Sequence, residues 1–137
     1  MKIMAVDLGR VRTGLAISDQ TEFLATPIGT VTERDRDRLL QHVVDTAREH
    51  GAEKIVVGLP KNMDGSQGES AQNATAFAER LREELGLPVV LWDERLTTAS
   101  AIGFLNETNV RGKKRKAVVD TVSAVIILQG YLDSHRR

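Results

Sequence analysis

The first nineteen residues constrain this chain more than any other stretch. A short apolar run, Ile3-Met-Ala-Val6, ends on Asp7; a turn with Gly9 follows; a second apolar run begins at Gly14. An apolar run that does not alternate with polar residues marks a strand covered on both faces. The carboxyl end of such a strand is where an open α/β sheet usually builds its site, so a carboxylate there is a candidate functional group. Asp and Gly are also common turn formers, and Asp7 alone is equally compatible with a turn, a phosphate-binding ATPase or a metal site. The rest of the chain has to decide among them.

The strand-like runs and helical periods continue in a definite order. Leu15 to Ser18 reads as a second strand hairpinned to the first. Ala25 to Val31 reads as a weaker third, with Pro27 pointing to a sheet edge. From Asp35 to His50 the apolar residues Leu39, Leu40, Val43, Val44 and Ala47 fall on one helical face, and Gly51 supplies the stop. Lys54 to Leu59 is a fourth, buried strand. Ser70 is the expected cap of a second helix reaching about Leu85, before Gly86 and Pro88. Val89 to Trp92 is the fifth strand, ending on Asp93-Glu94-Arg95. A third helix is expected to start near Thr97 or Thr98. The basic run Arg111-Gly-Lys-Lys-Arg-Lys116 is expected as a loop before a last helix from about Lys116 to Leu132. The fold expected is α/β: one domain over residues 1–137, with a five-stranded mixed sheet flanked by helices. Its first three strands are antiparallel, and its later strands join in parallel through βαβ crossovers.

Three acidic positions fall where such a sheet opens: Asp7, the Asp93-Glu94 pair, and Asp120 early in the last helix. Val118, Val122 and Val125 are read as the apolar stripe of that helix, with position 120 near its edge or outside it. The chain has no cysteine, and His42, His50 and His135 lie far apart, which removes thiolate chemistry and argues against zinc. Carboxylates gathered without His or Cys suit a hard cation such as Mg²⁺ or Mn²⁺, which takes oxygen ligands and bridges to substrate phosphate. Two such ions about 4 Å apart serve phosphodiester cleavage.

Formal net charge is zero, from 19 basic and 19 acidic residues, which leaves room only for local basic patches. The candidate phosphate-contacting groups are Arg10 and Arg12 after Asp7, Arg95, the run Lys113, Lys114, Arg115 and Lys116, and the loop beginning Lys61-Asn62. One Trp, one Tyr and three Phe are too few for extensive base stacking. The longest apolar stretch, Ala124 to Leu128, is too short for a bilayer, and Asp7 interrupts what would be a signal-peptide core. A membrane partner is therefore not expected, and a cytoplasmic location is.

Taken in order, Asp7-Leu-Gly9 with Gly14-Leu-Ala16, Gly58-Leu-Pro60-Lys-Asn-Met-Asp64-Gly-Ser66, Asp93-Glu94-Arg95-Leu-Thr97 and Asp120-Thr-Val-Ser-Ala124 resemble the YqgF family, also called RuvX. The resemblance covers essentially the whole chain. It implies a ribonuclease H-like fold and a metal-dependent nuclease, with maturation of the 5′ end of 16S ribosomal RNA as the family's usual role and Holliday junction resolution as an older inference. It further implies Asp7, Glu94 and Asp120 as the catalytic and metal-binding acids. Strand geometry alone leaves Asp93 or Glu94 open, and the family pattern favours Glu94. Partners would be pre-ribosomal RNA or branched DNA, bound by a monomer or homodimer. An ATPase of the two-domain type needs more chain than 137 residues, and no Walker-type phosphate loop is present. A non-catalytic nucleic-acid-binding factor is the remaining rival.

Overall fold

Strand β1 (Ile3–Asp7) buries Ile3, Met4, Ala5 and Val6 to 1% exposure or less, as its unbroken apolar run predicts. It pairs antiparallel with β2 (Arg12–Ser18) and parallel with β4 (Lys54–Leu59). Strand β3 (Ala25–Thr32) lies antiparallel outside β2, and β5 (Val89–Asp93) lies parallel outside β4, in the order β3-β2-β1-β4-β5. This computed structural model describes residues 1–60, 68–93 and 112–135, with residues 112–121 described as backbone only. The mixed five-stranded sheet and the edge position of the Pro27 strand agree with expectation. The β3 ladder shifts register opposite Leu15 and Ala16, which accommodates Pro27 and Gly29 at that edge.

Helix α1 (Arg36–Glu49) and helix α2 (Glu69–Leu85) cover one face, packing Leu39, Val43, Ala47, Phe77 and Leu81 against Met4, Val6, Leu15, Ile55 and Val57. Asp35 caps α1, accepting hydrogen bonds from the Asp37 and Arg38 amides, and Gly51 follows its end at φ 69°. Ser70 does not cap α2. The helix begins one residue before it, behind Gly68, with Glu69 in the first turn, where the helix dipole favours an acid. The helix expected from residue 97 or 98 lies outside the described residues.

Helix α3 (Gly112–Ser134) covers the opposite face. It is longer than expected, because Lys and Arg are good helix formers and the run 113–116 continues the helix instead of forming a loop. Its buried stripe also differs from the one expected. Ala124, Ile127, Leu128, Tyr131 and Leu132 face Ile3, Ala5, Ala16, Ala25 and Val56, whereas Val122 and Val125 are only partly buried. The four-valine stretch 118–125 places an apolar residue on several faces, so it could not show which face meets the sheet. Gln129 fixes the helix against the start of β3, donating from Nε2 to the Phe23 carbonyl at 3.0 Å and accepting at Oε1 from the Ala25 amide at 2.9 Å.

The β2–β3 connection is organised by one carboxylate. Asp19 Oδ1 accepts from the Phe23 and Leu24 amides at 2.8 Å each, and Oδ2 accepts from the Thr21 amide and hydroxyl. These bonds, with the Leu24 amide first, hold the Asp19 carboxyl far below the usual carboxylate range. A carboxylate with a depressed folded-state pKa stabilises above its unfolded pKa and loses that contribution as pH falls. The expected outcome is that Asp19→Ala lowers the Tm at neutral pH, and that the gap to the parent narrows as pH drops below about 4. A gap of constant size across that range, measured by circular dichroism melts, would refute the assignment.

Candidate active site

Alternation along the strands decides which side chains can meet. On β1, Met4 and Val6 join the α1/α2 core, while Ile3 and Ala5 join the α3 core, so Asp7 falls on the α3 face. Its partner across β2 is Gly14. On β4, the position one step beyond the Val6–Val57 pair is Gly58, and Gly58 in turn pairs with Trp92. Asp7, half-buried, is thus flanked by glycines on both neighbouring strands, leaving a lane in which its carboxylate is the one side chain across β2, β1 and β4. Trp92 closes the lane on β5, its ring edge-on to Tyr131 at 5.9 Å and 85°. It is partly buried rather than fully core, and its buried Nε1 has no hydrogen-bond partner among the described residues.

The turn that follows Asp7 is built from inside and clamped from outside. A Cβ on Gly9 would lie 1.9 Å from the Arg12 carbonyl oxygen, so only glycine fits. The buried Thr13 hydroxyl accepts from the Gly9 amide at 3.4 Å. Arg36, the first residue of α1, donates to four main-chain carbonyls: Gly9 at 3.1 Å, Arg10 at 2.7 Å, Glu33 at 3.3 Å and Arg34 at 3.3 Å. Sequence reading did not find this clamp, because the alternating stretch Glu33-Arg-Asp-Arg-Asp-Arg38 has the composition of a solvated segment.

The two arginines of the turn separate. Arg12 precedes Gly14 by two residues on β2 and therefore shares the Asp7 face, whereas Arg10 stays exposed on the turn. Asp93 goes to the other side of the sheet. Val89 belongs to the α1/α2 core and Val90 and Trp92 to the α3 side, so Asp93, opposite Leu59, alternates onto the α1/α2 face. Position 120 lies on α3 one, two and three turns before Ala124, Ile127 and Tyr131, on the line of residues that meet the sheet. That corrects the expectation of an off-stripe position. Lys113, Lys114, Arg115 and Lys116 belong to the first turns of the same helix and not to a loop. Glu94, Arg95, Lys61 and Asn62 lie outside the described residues. Among the described residues no three carboxylate or imidazole side chains converge, since two of the three expected acids are not among those side chains.

The family model described as "RuvX: Holliday junction resolvase" matches residues 1–134. Curated relatives named "Putative pre-16S rRNA nuclease" include one from Listeria monocytogenes, 45% identical with 98% of this chain and 99% of that one covered. Others come from Geobacillus kaustophilus, 45% identical over 99% of this chain and 100% of that one, and Caldanaerobacter subterraneus, 42% identical over 99% of each. Among solved structures, Thermus thermophilus RuvC in complex with a Holliday junction aligns at a TM-score of 0.60 and 15% identity, covering 98% and 97% of the two chains. Fowlpox virus resolvase in complex with Holliday junction DNA aligns at 0.63 and 14% identity over the full length of both. At these identities the likeness is one of fold, and the fold is the ribonuclease H-like one expected.

The turn geometry carries its own test. Gly9→Ala drives a methyl group into a main-chain carbonyl and is expected to lower stability by about 1–3 kcal/mol. Arg36→Lys keeps the charge but cannot span four carbonyls, and a loss of about 1–2 kcal/mol is expected. Urea denaturation measures both, and a Gly9→Ala chain as stable as its parent would overturn the turn geometry.

Proposed function

Because the chain belongs to the RuvX family, we propose that it is a divalent-metal-dependent nuclease that hydrolyses phosphodiester bonds, acting in the maturation of the 5′ end of pre-16S ribosomal RNA. The observation that carries this reading is the placement of the Asp7 carboxylate on a glycine-flanked lane, on the face covered by the helix that bears Asp120. Glycines at 14 and 58 leave a phosphate room to approach that carboxylate closely.

Asp7, Glu94 and Asp120 would hold the cation. The fit rests on the chemistry and placement of this donor set: hard carboxylate oxygens, with Asp7 at the carboxyl end of the central strand β1, Glu94 next in sequence after β5, and a helical position one turn before Ala124 on the sheet-facing line. Strand parity counts against Asp93 as the second acid, since Val90 and Trp92 share the Asp7 face and Asp93 does not, and the family pattern favours Glu94. When bound, Mg²⁺ or Mn²⁺ supplies neutralisation of phosphate charge and polarisation of the reacting oxygens. The protein's own part is to seat the scissile phosphate. Arg12, on the same face, balances its charge, and basic residues 113–116 lie one to two turns before Asp120 on the same helix. Water adds to phosphorus and one bridging P–O bond breaks, leaving a phosphomonoester and a hydroxyl end.

No described helix is long and apolar enough to cross a membrane, and the proposed substrate assigns the protein to the cytoplasm. The names of the curated relatives favour ribosomal RNA over branched DNA. Purified protein is to be incubated with a pre-16S RNA fragment and with a four-way DNA junction, each with Mg²⁺, Mn²⁺ or EDTA. The RNA is expected to be cut only with metal. Asp7→Asn, Glu94→Gln and Asp120→Asn should each fall to the EDTA level while Asp93→Asn retains cleavage. An Asp7→Asn protein that cuts as the parent does would sink the catalytic assignment, and preferential junction cutting would replace RNA by branched DNA.

A further inference from the structure

Behind the Asp7 turn lies a cleft of about 520 Å³ that the nuclease reading does not use. It runs between turn residues 8–11 and helix α2. Arg10, Arg34, Arg36 and Arg80 line it together with the polar side chains of Ser70 and Asn73, and none of the described lining residues is acidic. This is a concentration of positive charge in a chain whose formal net charge is zero.

The acids of the neighbouring segment 33–37 are held by main-chain amides or stand at the exposed rim. Glu33 accepts from the Asp35 amide at 3.2 Å, and Asp35 caps α1. Asp37 pairs with Arg80 at 2.6 Å, but its side chain is 82% exposed, and an ion pair this open to water contributes little and exchanges readily for a better anion. Arg36 is occupied by the four turn carbonyls, which leaves Arg10, Arg34 and Arg80 as the groups that can turn to a ligand. Guanidinium groups with nearby hydroxyl and amide side chains recognise phosphate oxygens through paired, charge-assisted hydrogen bonds. Among the described lining residues the one aromatic, Phe77, is 3% exposed and committed to the core, so none of them stacks a base. The volume lies within the roughly 300–1,000 Å³ of small-ligand sites and suits a phosphate with its flanking sugars rather than a double helix.

Location says which phosphate. Leu8 and Gly9, which line the cleft, follow Asp7 directly in the chain, and Leu8 packs on the α1/α2 side of the sheet. A strand whose scissile phosphate lies over the Asp7 lane has only to cross one turn to reach it. We propose that this cleft is a second phosphate-binding subsite that holds the phosphodiester backbone of the substrate strand beyond the scissile bond. The proposal rests on the nuclease reading for the identity of the strand, and on the cleft itself for the chemistry.

Binding, not cleavage, tests it. Asp7→Asn protein in EDTA is titrated into a fluorescein-labelled RNA hairpin with a single-stranded 5′ extension, and Kd is read by anisotropy across a salt series. Adding Arg34→Gln or Arg80→Gln is expected to weaken Kd about five- to tenfold and to lower the slope of log Kd against log salt by about one. Arg48→Gln removes the same charge at the far end of α1 and is expected to change neither. Unchanged Kd and slope in both cleft variants overturns the proposal, as does an equal loss in Arg48→Gln or failure of the Asp7→Asn chain to bind the hairpin. Competition by inorganic phosphate at concentrations near the RNA Kd would mark a free-anion pocket and also overturn it. Absence of metal-dependent cleavage by the parent, with the cleft variants still defective in binding, would remove the nuclease reading and leave the subsite standing.

Discussion

The side-chain alternation of β1 is the constraint on which the rest of the structure depends. A central strand buried on both faces sends Met4 and Val6 to one helix layer and Ile3 and Ala5 to the other, and the same period fixes the face of Asp7. A one-residue slip in pairing would exchange the two sets and send Asp7 to the α1/α2 side. The residues that resist such a slip are unequal in size. The α3 face carries Ala5 beside Ala16 where the helix comes close, whereas the α1/α2 face carries Met4, Val6, Leu15 and Ile55. Swapping them would overfill one layer and leave a void in the other, and both errors are destabilising. Core packing therefore aims the carboxylate before any ligand is present.

The turn after Asp7 converts that strand position into a two-sided edge. Its first side is the glycine lane on the α3 face, which Arg12 shares; its second is the arginine-lined cleft, where Arg10 stands with Leu8 and Gly9. Arg36 ties the two together, because its guanidinium reaches from the start of α1 to the carbonyls of Gly9 and Arg10. A turn held only by its own hydrogen bonds would move independently of the helices. This one is braced by a residue whose helix packs on the other side of β1, so Asp7 and the cleft share one rigid support.

Much of this was readable from the chain, and the misses have physical causes. Strand β4 matched the expected Lys54–Leu59, and the period of Leu39, Leu40, Val43, Val44 and Ala47 located α1, because both signals are local. The valines at 118, 119, 122 and 125 misled about the face of α3, since a helix apolar on several sides shows its buried stripe only through contact with a sheet. The basic run 113–116 reads as a loop on its charge, yet it is helical, because Lys and Arg extend a helix well. The face of Asp93 is not legible in the sequence, because parity requires knowing where Val89 and Trp92 point, which is a property of the packed sheet. The role of Arg36 is wholly tertiary, and no local pattern encodes it.

Net charge was the least informative number in the sequence, and the fold explains why. Balanced totals conceal a sorting of charge by geometry. In the segment 33–38, acids and arginines alternate one for one, yet the acids cap α1, bond a backbone amide or pair at the exposed rim, while Arg34 and Arg36 turn to the cleft. A nucleic-acid backbone responds to potential within about a Debye length of roughly 8–10 Å, not to the sum over the molecule. A neutral chain can thus present a phosphate with a strongly basic surface beside an acidic one, and a metal-dependent phosphodiesterase requires that juxtaposition. Carboxylates alone would repel the substrate, and arginines alone would hold it without bringing hard oxygen ligands to the bond that breaks.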